Sequence, residues 1–240
     1  VAITTTSVDV ADVVDRVRDT LEDVFEAVAR VRDRTVAIAA VRAAGRPLTT
    51  ADLAGLRPLL HDRLRRHRDL ISGVGFIAEP GLLGDAPAWL EWWQTSRDGE
   101  LRPLLLDLDP HTSAYSDYTH WDWFALPRET GERACAGPYV DYLCSDEYSL
   151  TLSVPVHHGG RFLGVAAADV YLRHFEAAVI PLLRLLPGPA CLVNARGRVA
   201  ASTDARHLAG SLLKGPDAPG EVRRWPCGDI PLVLAQLRSA

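Results

Sequence analysis

Between residues 118 and 169 the chain interleaves large aromatic side chains with carboxylates: Tyr118, Trp121, Trp123 and Phe124, then Tyr139 and Asp141, then Asp169. A carboxylate among buried rings is costly unless a cation or hydrogen-bond donors satisfy it, and aromatic faces themselves attract cations. Together these residues describe a small pocket for a positively charged group. Residues 118–124, YTHWDWF, read as a lid over the strands GPYVDY (137–142), LTLSVPV (150–156) and FLGVAAADV (162–170). Asp169 stands out because its strand is otherwise Phe162, Leu163, Gly164, Val165 and three alanines. A lone acid there either caps the helix that follows or binds something. Trp123 and Phe124 are either pocket walls or ordinary core, and Asp122 reads as the solvent-facing residue between two packing tryptophans.

Other chemistries find less support. Asp107 and Asp109 have no third metal ligand in view and read as a solvated strand end beside Pro110. His157 and His158 sit at a Gly159-Gly160 turn, where neighbouring side chains diverge, so they make a poor metal pair. There is no G-x-S-x-G elbow, no Walker A loop and no H-E-x-x-H, and Gly73 and Gly75 lack the third glycine and the helix of a dinucleotide site. No cofactor, metal or catalytic set is expected. The enzymatic alternative is a hydrolase using Asp141 and Asp169 as an acid/base pair. Four cysteines, 135, 144, 191 and 227, have no zinc-like spacing and read as free thiols.

The 240 residues are 48% hydrophobic and 24% charged, enough to bury a core in one large or two small domains. A net charge of −5 gives no footprint for nucleic acid, and the arginines at 63, 65, 66 and 68 read as a solvated helix face. No apolar run reaches membrane-spanning length and no signal-peptide core follows Val1, so a chain starting at Val1 is expected in the cytoplasm.

Valines recurring at three and four residues from Val10 predict one amphipathic helix over residues 8–43, capped by Ser7 or Asp9 and stopped at Gly45-Arg46-Pro47. Its stripe outruns a single small sheet, so its Val10 end is expected either to pair with a second copy or to be ordinary core. A second helix is predicted from an N-cap at Thr50 to His67. Strands follow around residues 70–78, 89–94 and 100–110, then the lid, the three strands above and a helix over 172–186. The Pro187-Gly188-Pro189 break marks a boundary. Beyond it lie a hairpin over 190–203, a short helix near 205–213, a polar loop and a closing strand near 230–235. The fold class is thus α/β (α+β). Residues 1–68 form a helical segment, residues 69–186 a larger ligand-binding module and residues 187–240 a smaller module, both built on antiparallel sheets.

The order of these parts carries a resemblance. A long N-terminal helix is followed by an aromatic lid ending in Trp-Phe and Pro. Then come Pro-Tyr-x-Asp, Leu-Thr-x-Ser-x-Pro-Val, a Gly-Gly hairpin and a strand ending Gly-Val-x-x-x-Asp. This resembles the Cache sensor domains, of the double-Cache type with two PAS-like modules, from about Asp9 to Ala235. The resemblance implies that Asp141 and Asp169 meet a ligand's amino group while Tyr118, Trp121, Trp123 and Phe124 close over it. Amino-acid-binding members carry an arginine where Trp121 stands and a tyrosine where Phe124 stands. Loss of that arginine removes a bidentate carboxylate grip and points to an amine or substituted ammonium compound. The expected function is therefore sensing of a small cationic, amine or amino-acid-like ligand, signalled through a separate regulator. The alternatives are a binding protein delivering its ligand to a transporter, and an extracytoplasmic sensor fragment without its membrane spans.

Overall fold

The valine stripe folds as α1, Val10–Ala40, in the computed structural model, which describes residues 9–41, 46–96, 98–109, 111–112, 116–141, 147–213 and 222–237. The Asp9 carboxylate caps it by accepting the Ala11 N–H at 3.2 Å; Ser7 and Gly45 lie outside the described residues. Val13, Val17, Leu21, Val24, Val28 and Val31 are fully buried. At 1.5 Å per residue the helix is about 46 Å long, and two sheets share it.

The first sheet has the order β3-β2-β1-β6-β5-β4, all antiparallel: β1 Ile71–Ala78, β2 Leu90–Thr95, β3 Leu101–Pro103, β4 Ala134–Asp141, β5 Glu147–His158 and β6 Arg161–Tyr171. The second has the order β8-β7-β10-β9: β7 Ala190–Asn194, β8 Val199–Ser202, β9 Val222–Cys227 and β10 Ile230–Leu237. The strands β9 and β10 pack on α1, with Gly228 in their turn against the Arg18 stem. The stripe that outran one sheet is therefore consumed inside a single chain, which removes the reason for expecting a second copy at Val10. One hydrophobic core runs from α1 through both sheets without a break at Pro187.

Side-chain alternation divides the first sheet. Val74, Phe76, Leu150, Leu152, Val154, Ala166 and Ala168 face α1. Ile77, Val165 and Ala167 face the opposite side, under α4, Asp122–Thr130. A fifth helix, α5 Leu172–Leu183, leads out of β6. The β5–β6 hairpin turns at Gly159 and Gly160, whose φ of 58° and 76° are what a two-residue turn of this hand requires.

Several expected elements differ. The second helix is broken into α2, Thr50–Leu53, a 3-10 turn and α3, Arg57–Arg66, and its N-cap is Thr49, whose N–H is accepted by Asp52 at 2.8 Å. The strand expected over 100–110 ends at Pro103, which has no N–H for the ladder; Leu104 still donates to the Trp92 carbonyl at 3.0 Å. The strand β9 was not foreseen, because Arg223, Arg224 and Pro226 are the residues of an edge strand rather than of a hydrophobic run.

Where a helix was expected at 205–213 the chain makes turns, with Leu208 and Leu212 exposed and so no apolar face for a helix to bury. Asp204 organises them. Its carboxylate accepts the Arg206 guanidinium at 2.9 Å and the Arg206 N–H at 3.0 Å, which lowers its pKa to about 2. A carboxyl near 3.9 in the unfolded chain but lower when folded adds stability that is complete above about pH 4 and lost as pH falls toward the folded value. Asp204→Asn should therefore flatten the dependence of melting temperature on pH between about pH 4 and pH 2 relative to the parent chain.

Candidate functional site

Two glycines make room on the face of the sheet away from α1. A Cβ at Gly75 would stand 2.3 Å from the Glu91 carbonyl oxygen, and one at Gly73 would stand 2.8 Å from Trp92 Nε1. Without those Cβ atoms, the Trp92 indole lies down across β1. Gly73 is paired with Asp169 on β6, and Asp169 in turn with Thr151 on β5. One row of the sheet thus runs from Trp92 over Gly73 to Asp169 and Thr151, and Tyr139 reaches its end from β4.

The polar part of this row is a short relay. Thr151 donates to Asp169 Oδ1 at 2.6 Å, and its hydroxyl also bonds the Tyr139 hydroxyl. Since threonine has one proton and gives it to the carboxylate, Tyr139 is the donor to Thr151. Asp169 is 7% exposed. It does not cap α5, whose N-cap is Tyr171 with no side-chain cap bond, so that alternative for a buried acid falls away.

The roof is built from residues 118–124. Tyr118 anchors it by donating to the Ala78 carbonyl at 2.8 Å, and Ser153 donates to the Trp123 carbonyl at 2.7 Å, fixing the first turn of α4 on β5. Between roof and sheet is a cavity of about 80 Å³, lined by Tyr118, Trp121, Trp123, Tyr139, Thr151 and Asp169 with Trp92, Ile77, Ala167 and leucines of residues 90–106. At roughly 10–15 Å³ per water-sized position this holds about half a dozen such positions, enough for a compact ligand. Trp121 and Tyr139, ring centres 5.6 Å apart, separate it from a wider groove that reaches Arg198, just before β8, and Gly210, in the turns after β8.

Five of the seven residues expected at a pocket are thus brought together. Phe124 is not among the lining: it is fully buried, wedged edge-on against Tyr118, Trp123 and Phe162. The Asp141 side chain lies outside the described residues. Its backbone pairs with Glu147, four positions along β5 from Thr151. With about 3.3 Å per residue and 4.8 Å per strand, the backbones of Asp141 and Asp169 are on the order of 15 Å apart. Asp122 forms an ion pair with Arg196 at 2.8 Å instead of facing solvent freely. Sequence reasoning missed Trp92, Thr151 and the two glycines; the G-x-G in β1 and the Trp-Trp pair in β2 were visible, but their register was not.

Asp107 and Asp109 are exposed and accept bonds within their own turn, Asp107 from Thr112 at 2.7 Å and Asp109 from the His111 N–H at 2.9 Å. Among the described residues no group of three potential metal ligands is assembled. Cys135, Cys191 and Cys227 are free and buried, with burial pushing the Cys135 thiol up to about 12; Cys144 lies outside the described residues.

A chemoreceptor profile, the first PDC sensor domain of methyl-accepting chemotaxis protein-like chains, matches residues 90–177, which span β2 to α5 and so most of the cavity. The fold is shared with bacterial sensor domains. The extracellular domain of the candidate histidine kinase mmHK1S-Z3 superposes with a TM-score of 0.64 at 16% identity, covering 95% of this chain and 90% of that one. The ligand-binding domain of the Pseudomonas aeruginosa PAO1 amino acid chemoreceptor PctC, in complex with GABA, gives 0.56 at 18% identity, over 95% and 97%. That of the Campylobacter jejuni chemoreceptor Tlp3, in complex with L-norvaline, gives 0.54 at 16% identity, over 94% and 87%. At such identities the likeness establishes the fold alone. No curated protein sequence matches the chain. No helix among the described residues is long and apolar enough to cross a membrane.

Proposed function

We propose that this chain is a ligand-sensing domain of the double-Cache kind whose larger module takes a compact amine or substituted ammonium compound. The observation that carries the reading is a buried carboxylate, Asp169, at the floor of an aromatic cavity that none of its described lining residues makes cationic. An ammonium group there meets the Asp169 charge and the faces of Trp121, Trp123 and Tyr139, an arrangement favourable to cations in a desolvated site. GABA and L-norvaline, seen with the two chemoreceptor domains, both carry an ammonium group. They also carry a carboxylate, for which the described lining offers no positive partner, so a ligand lacking that group suits this cavity better.

Sensing, rather than turnover, fits a site in which Asp169 is the one acid among the described lining residues. The domain would work outside the cell, as the extracellular relative does, and report through a partner or through segments joined to it. A thermal-shift series over primary, tertiary and quaternary amines, with the matched α-amino acids, tests this. An amine at 100 times its Kd should add about 2.7 kcal/mol of stability, and amines should raise the melting temperature more than the corresponding amino acids. A shift seen only with amino acids or dicarboxylates would overturn the amine reading.

A further inference from the structure

The two tryptophans at the centre of β2 point to opposite faces and meet different fates. Trp93, on the α3 side, donates its indole N–H to Glu91 Oε1 at 3.1 Å. Trp92, on the cavity side, is 5% exposed, and among the described residues no group accepts its Nε1 proton. Among the described residues seven buried side-chain polar atoms are in this position, and Trp92 is the one residue of that group that lines the cavity. Buried indole N–H groups ordinarily find a partner, because leaving one unmade forfeits its hydration with nothing in return.

The placement of this donor is specific. The nitrogen edge of the indole is the part nearest Gly73, the residue paired with Asp169 across the sheet. A donor and a carboxylate therefore share one row of the cavity floor, separated by the width of β1. We infer that Trp92 Nε1–H is a ligand-binding group and that the ligand carries, a few atoms from its ammonium, a neutral acceptor oxygen such as a hydroxyl, ether or amide carbonyl. A carboxylate is the poorer acceptor here, since a single neutral N–H would have to offset a full negative charge near Asp169. This rests on the amine reading of the same cavity and adds a second recognition element to it.

The test uses two near-isosteric amines, butylamine and 2-methoxyethylamine, which differ by a methylene exchanged for an ether oxygen. Both are titrated by calorimetry into the intact chain and into Trp92→Phe, which keeps a ring and removes the N–H. The parent chain should bind the ether amine about 5- to 10-fold more tightly than butylamine, the range expected when a buried donor gains its partner. The Trp92→Phe chain should lose that preference, binding the ether amine and butylamine with affinities similar to each other. Should the phenylalanine variant fail to fold, the indole N–H resonances of the nitrogen-15-labelled parent chain give the same answer. One of them should move downfield with the ether amine and stay in place with butylamine. Binding of both amines with equal affinity, or a preference that survives in Trp92→Phe, overturns the role of Trp92 and leaves the amine site standing. Failure of both amines to bind the parent chain overturns the amine site itself, and this inference with it.

Discussion

Asp169→Asn should weaken binding of a cationic ligand by about 2 to 5 kcal/mol, the loss seen when one member of a buried charge pair is neutralised. The substitution keeps shape and removes charge. Thr151 can still donate to the amide oxygen at the position where it now meets Oδ1 at 2.6 Å, so the Tyr139–Thr151 relay keeps its acceptor. Circular dichroism should show an unchanged fold, and calorimetry with an amine that binds the parent chain should show the loss. Unchanged affinity would mean that this carboxylate serves the sheet and not a ligand.

The second large effect is on stability. Gly75→Ala should destabilise the chain by about 3 kcal/mol, at the upper end of overpacking effects. The added Cβ would meet the Glu91 carbonyl oxygen at 2.3 Å and Trp92 Cα at 2.8 Å. Both are backbone atoms held in the β1–β2 ladder, so neither can rotate away as a flexible side chain would. Any relief must push β2 off β1 and carry Trp92 out of the cavity floor. Urea denaturation should show a lower midpoint at unchanged slope, and ligand affinity should fall with it. Gly81→Ala is the control for generic loss of glycine: nothing stands within 4 Å of its Cβ position, so its cost is confined to its own positive φ of 75°.

The periodic parts of this fold were legible in the sequence, and the parts that depend on partners were not. The stripe from Val10 states a helix outright, and Gly159-Gly160 between alternating runs states a hairpin. Asp169 was legible as an anomaly, an acid where alanines set the expectation. Trp92 was hidden because its meaning lies in the cross-strand pairing of Gly73 with Asp169 and of Gly75 with Trp92 itself. Phe124 and Trp123 are adjacent aromatics of similar character, and only the direction of the first turn of α4 sends one to the cavity and the other into the core. How Asp141 stands to Asp169 was hidden for a related reason: both are on strands of one sheet but at different heights along them, which only the register gives.

The turn between β7 and β8 ties the wall and the roof of the cavity to the rest of the fold. Asn194 donates to the Gly137 carbonyl at 2.7 Å, just ahead of Tyr139, and Arg196 pairs with Asp122 at the first residue of α4. From the other side Arg133, between α4 and β4, reaches Glu22 on α1 at 3.0 Å and the Asp229 carbonyl at 2.7 Å. The wall strand and the roof helix are thus tethered at both ends to the second sheet and to the long helix. A roof settling over a ligand would not move alone. It would draw on these tethers, making the second sheet and α1 levers through which occupancy of the cavity would be read at the surface of the molecule.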